Sequence, residues 1–196
     1  MEWLSKRICS VLIKQSAKEH EKELYEYAIL LVLNFLLNFS ITLILACIFN
    51  KILECVLMVS AFLILRKFTG GLHLKRKLTC HIASILLVFA FLVYMTYSSF
   101  SVSQSIINVT SLVSCIVVAI LSPLENSNRP LSDKEKKVYK IVAVIISALI
   151  GFAIIKLYGH RIMIAKSLLI SLVLDLILLV LGTIVSKRAA DNHYSV

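Results

Sequence analysis

Six long apolar runs, at roughly residues 28–49, 52–65, 79–97, 105–121, 138–156 and 162–185, constrain this chain more than any other feature. Most reach the length of about 17 or more residues that a helix needs to cross a hydrocarbon core of about 30 Å. The second does not: its 14 residues, at about 1.5 Å each, reach only about 21 Å, so it either thins the bilayer or is re-entrant. The runs are unbroken instead of alternating, which excludes a membrane β-barrel. Composition agrees, with 59% hydrophobic and 16% charged residues against about 45–50% and about 25% in soluble domains. Disorder and a disulfide-stapled secreted fold are excluded on the same ground. The five cysteines, Cys9, Cys47, Cys55, Cys80 and Cys115, show no CxxC spacing, so neither a disulfide framework nor a zinc knuckle is expected. The fold class is therefore an all-α integral membrane protein forming one domain over 1–196.

Residues 1–26 carry five basic and five acidic side chains and have no cleavable apolar core, so they are expected to be retained and not to act as a signal peptide. Trp3, Leu4, Ile8, Val11 and Leu12 recur at helical spacing, opposite Lys6, Arg7, Lys14 and Lys18. That pattern predicts an amphipathic helix lying in the headgroup layer. The net charge of +10 is distributed unevenly. Alternate connections hold 17 and 4 of the 21 Lys and Arg residues. By the positive-inside rule, both termini and the 66–78 and 122–137 loops are expected in the cytoplasm. Topogenic charge and contact with anionic lipids then account for the basic balance, and nucleic acid is not an expected partner.

The connection from Arg66 to His81, RKFTGGLHLKRKLTCH, differs from the rest of the chain. It holds two of five glycines, two of five histidines and five of the 21 basic residues, with no acid. A cysteine is a useful nucleophile as thiolate, which a neighbouring imidazole or cationic cluster favours. His73 and Cys80 form the obvious pair. On a straight helix seven residues span about 10.5 Å, too far for proton transfer, so the segment must bend. Gly70 and Gly71 can supply that turn and let backbone N–H groups approach a substrate oxyanion. The same residues also admit a plainer reading: a flexible basic turn, a buried Cys80 and interfacial histidines. A metal site from His73, Cys80 and His81 is disfavoured because no carboxylate or HExxH pattern accompanies them, and no metal or cofactor is expected.

The pattern Arg66-x3-Gly70-Gly71-x-His73-x6-Cys80, with the Pro-bounded loop Ser122–Leu131 after the fourth run, resembles the signature of the accessory gene regulator B family. These are membrane endopeptidases of Gram-positive bacteria that process quorum-sensing propeptides. The resemblance covers essentially the whole chain. It implies that His73 and Cys80 are the catalytic dyad and that Gly71 occupies the family's glycine position. His81, directly after the cysteine, is not part of that pattern. The resemblance further implies a propeptide with an acidic C-terminal tail as substrate, cleaved through a Cys thioester and cyclised to a thiolactone or lactone. It implies a multi-pass location in the cell membrane. Arg66, Lys75, Arg76 and Lys77 are candidates for docking the acidic tail, and a homodimer is a further expected partnership. The rival classes are a small peptide exporter and a non-catalytic membrane adaptor.

Ionisable or amide side chains inside the apolar runs are expensive in hydrocarbon and usually face the bundle interior. Asp175 stands near the middle of the sixth run, and Asn34 and Asn38 share a face of the first. Asp175 is expected either as a structural partner, with Asn34 or Asn38 as candidates, or as an orienter of the catalytic histidine; counting depth along the runs puts it near mid-membrane, away from His73, and favours the first. Glu54 and Lys156 are expected to mark the outer edges of their helices.

Overall fold

A computed structural model describes residues 3, 7, 22–70, 77–97, 103–124 and 132–193, and among these the regular structure is entirely helical. Six helices follow one another: α1 Lys22–Ile48, α2 Ile52–Thr69, α3 Lys77–Tyr97, α4 Gln104–Leu121, α5 Asp133–Tyr158 and α6 Ile162–His193. The expected amphipathic N-terminal helix lies outside the described residues, apart from Trp3 and Arg7. Among the described residues, four helical stretches are long and apolar enough to cross a membrane: Leu24–Ile48, Gln104–Leu121, Asp133–Tyr158 and Ile162–Ser186.

Local chemistry sets the helix ends. α1 stops at Asn50, whose positive φ of 52° belongs to a Schellman closure in which the Lys51 N–H donates to the Ala46 carbonyl and the Asn50 N–H to that of Cys47. Ser103 caps α4 by accepting from the Ile106 N–H. Ser132 and Glu135 form a capping box at the start of α5. The second apolar run is where the sequence expectation falls short. α2 does not end at Leu65 but continues through Arg66, Lys67, Phe68 and Thr69, giving 18 residues, or about 27 Å. Basic side chains in its last turn complement the negative end of the helix, so the helix persists where the hydropathy falls.

Packing divides into three apolar clusters. Ala46 of α1, Cys55 and Met58 of α2, and Val88, Phe91, Leu92 and Met95 of α3 form the first. Ala61 and Leu65 of α2 meet Ile107 of α4, Ile154 of α5 and Ala165, Leu168 and Leu172 of α6 in the second. Val118, Ala143 and Leu179 close the third, with Phe68, Leu121 and Leu124 against it. α2 thus joins the α1–α3 layer to the α4–α5–α6 layer. Small residues line the crossings of the latter: Ser111, Ser114, Ala143, Ser147, Ser167 and Ser171 are all buried. Such residues let helix backbones approach closely where lipid leaves no hydrophobic drive to association. Ser114, Ser147, Ser167 and Ser171 donate to carbonyls of their own helices at 2.7–3.0 Å, so their burial leaves those hydroxyls satisfied. Large side chains such as Leu112, Ile120, Leu149 and Phe152 point outward and are well exposed, as a bundle solvated by acyl chains requires.

Candidate active site

α2 ends where its backbone reaches Gly70, with φ +71° and ψ −148°, a region open essentially to glycine alone. Its N–H still donates to the Arg66 carbonyl at 3.2 Å, so that donor belongs to the helix end and is not aimed at a substrate. Gly70 also makes a parallel backbone bridge with Leu124. The Leu124 N–H donates to the Thr69 carbonyl at 2.9 Å. A Cβ on Gly70 would fall 2.3 Å from the Leu124 carbonyl oxygen, so the close approach itself requires glycine. Two connections far apart in sequence, each distinctive for its own composition, are therefore clasped together at one end of the bundle. Phe68 reinforces the clasp, lying edge-on to Tyr139 of α5 with ring centroids 5.5 Å apart.

Beneath the clasp lies Asp175, fully buried on α6. Its Oδ1 accepts from the Thr69 hydroxyl at 3.0 Å, and Thr69 is itself fully buried. The Asp175 Oδ2 has no hydrogen-bond partner among the described residues. This corrects the partner expected for Asp175 and its expected separation from the Gly-Gly loop. Asp175 does not pair with Asn34 or Asn38; it meets the end of α2 one residue before the Gly-Gly pair. The reason is that α6 continues 18 residues beyond Asp175 to His193, so the end of α2 is recessed beside the middle of α6.

Asn38 has a different partner. Its amide Nδ2 hydrogen-bonds the His81 Nδ1 on α3, tying the imidazole that follows Cys80 to α1. Cys80 is the fourth residue of α3, within its first turn. The Cys80 and Lys77 side chains, and all of Gly71, His73, Lys75 and Arg76, lie outside the described residues. A cavity of about 300 Å³ opens between α1, α2 and α3, with mostly apolar walls that include Phe35, Phe39, Met58 and Val88, and with Asn38 on its lining. Apolar surroundings therefore flank the helix that carries Cys80. At helix ends, Lys51 lies 3.8 Å from Glu54 in the first turn of α2, and Lys156 stands over the Phe152 ring near the end of α5. Among the described residues, no group of three or more His, Cys, Asp or Glu side chains could hold a metal ion.

Hydropathy and spacing single out Gly70, Arg66 and the Pro-bounded loop, but not Thr69 and not the partner of Asp175. A threonine directly before Gly-Gly carries no sequence signal of its own, and its role depends on a contact across 106 positions.

The sequence model of the accessory gene regulator B family matches residues 5–179. Accessory gene regulator protein B of Staphylococcus intermedius is 28% identical over 106 residues, covering 54% of this chain and 55% of the relative. The chain thus matches about half the length of that curated protein. No solved structure matches.

Proposed function

The chain belongs to the accessory gene regulator B family, and from that premise we propose that it is a membrane-embedded cysteine endopeptidase that cleaves a quorum-sensing propeptide at the cytoplasmic face. The observation that carries this reading is the clasp of Gly70 to Leu124, which fixes the start of the Gly-Gly-x-His loop, while Cys80 lies in the first turn of α3. The residues define the chemistry. The His73 imidazole takes the thiol proton of Cys80, and the thiolate attacks the scissile carbonyl to form a tetrahedral oxyanion. The C–N bond then breaks, the imidazolium returns the proton to the leaving amine, and the N-terminal part of the propeptide remains on Cys80 as a thioester. Because the Gly70 N–H is committed to Arg66, the oxyanion is assigned to donors beyond Gly70, beginning with Gly71.

An internal Cys or Ser of the bound peptide attacks the thioester, gives up its proton through His73, and frees Cys80 as a ring closes. Exchange of one thioester for another is nearly isoenergetic, and a water-poor site suppresses the competing hydrolysis while the tethered side chain acts at high effective concentration. Conversion of the amide to a thioester is uphill, so removal of the C-terminal fragment draws the reaction forward. His81 is held by Asn38, which supports His73 as the base. Arg66, Lys75, Arg76 and Lys77 are assigned to the acidic tail of the propeptide. The test is cleavage, by the purified chain in nanodiscs, of a synthetic propeptide with an amphipathic start, a central Cys or Ser and an acidic C-terminal tail. Wild type forms the ring and Cys80→Ala does not; equal turnover by both refutes the assignment.

A further inference from the structure

Asp175 is a carboxyl group on a helix whose other core positions, Lys166 apart, are apolar or small, among them Ala165, Leu168, Leu172 and Leu179. A buried carboxyl in such a setting is expensive unless its hydrogen bonds decide something that apolar packing cannot. Its one hydrogen bond among the described residues goes to Thr69. The Thr69 carbonyl in turn accepts from Leu124, and the next residue is Gly70, bridged to that same leucine. An apolar contact here would let the last turn of α2 rotate about its axis. A hydrogen bond from the Thr69 hydroxyl fixes that rotation, and with it the direction of the Thr69 carbonyl. On the premise that His73 and Cys80 do the chemistry, we propose that Asp175 is a positioning residue: through Thr69 it locks the Gly70–Leu124 clasp from which the reactive loop departs. Arg66, one turn earlier, accepts the Gly70 N–H on its carbonyl and so belongs to the same helix end. α6 thereby takes part in the reaction without touching the substrate.

The experiment pairs amide exchange at Leu124 with steady-state cleavage of the same synthetic propeptide, using the full chain in nanodiscs. Thr69→Val removes the hydroxyl at nearly constant shape, Thr69→Ser keeps it, and Asp175→Ala removes the acceptor. Loss of a hydrogen bond to a carboxylate corresponds to an opening of the clasp by about 10-fold or more. Thr69→Val and Asp175→Ala should each raise Leu124 exchange by about that factor and lower kcat by about 10- to 100-fold, with KM within about twofold. Thr69→Ser should restore both, and the double variant should be no worse than either single one, because both break the same link. The proposal is overturned if Thr69→Val leaves Leu124 exchange and kcat at wild-type values. It is equally overturned if Thr69→Ser is as impaired as Thr69→Val, or if exchange rises evenly along α2 and α6. If exchange responds as expected but the wild-type chain cleaves nothing, the enzymatic reading and the positioning role fall together, and only the Thr69–Asp175 link survives.

Discussion

Gly70→Ala is the substitution whose effect the geometry specifies most closely. An alanine at φ +71° and ψ −148° sits in backbone space that costs about 1–3 kcal/mol for an L-residue. Its Cβ would also stand 2.3 Å from the Leu124 carbonyl oxygen. That atom belongs to backbone, so the 122–124 segment must move and release the Leu124 N–H from Thr69, a loss of about 1 kcal/mol. Together these amount to about 2–4 kcal/mol, or a shift of about 30- to 1,000-fold toward an unclasped end. Two other glycines are internal controls. At Gly151 the nearest heavy atom to an added Cβ is the Cys115 Sγ at 3.5 Å, and at Gly159 nothing lies within 4 Å. Gly151→Ala and Gly159→Ala should therefore insert, fold and cleave as wild type does. Gly70→Ala should insert normally, expose the Leu124 amide to exchange and lose cleavage by at least about 30-fold. Wild-type exchange and turnover in Gly70→Ala would refute the clasp, as would equal losses in all three variants.

Three further outcomes follow from the proposed chemistry and topology. His73→Ala should abolish single-turnover acylation near neutral pH, whereas His81→Ala should retain most of it, since His81 faces Asn38; a larger loss in His81→Ala reverses the assignment of the base. Lys75, Arg76 and Lys77 together changed to Gln should raise KM and flatten the salt dependence of cleavage, with little change in kcat, because screening acts on docking; unchanged kinetics in neutral-lipid nanodiscs at low and high salt would make the cluster purely topogenic. Cysteines introduced at 66–78 and 122–137 should resist impermeant labels in intact cells, while those at 98–104 react; labelling of the first two sets from outside contradicts a cytoplasmic site.

Much of the architecture was legible because apolar run length maps directly onto helix length. α1, α4, α5 and α6 follow from that arithmetic. α2 was read four residues short because Arg66 and Lys67 end the apolar run but not the helix; hydropathy reports solvent, whereas helix termination is set by backbone geometry, here the positive φ of Gly70. Gly70 and the Ser122–Leu131 loop each stood out by composition, yet their contact did not, since a backbone bridge between two turns leaves no periodic trace. Asp175 shows the same limit. Its burial was legible from its place in an apolar run, but counting residues along one helix cannot fix its height relative to another that ends partway. Asn38 was legible as inward-facing, and its partner His81 was not, for the same reason.

The central claim is that Cys80 forms a thioester with the N-terminal part of a propeptide. Intact-mass measurement of the purified chain, quenched in acid during turnover of the synthetic propeptide, tests it most directly. The account requires an adduct equal in mass to the N-terminal product before ring closure, mapped to Cys80, released by neutral hydroxylamine and absent from both Cys80→Ala and His73→Ala. Turnover without any such adduct, or an adduct that survives in Cys80→Ala, contradicts it.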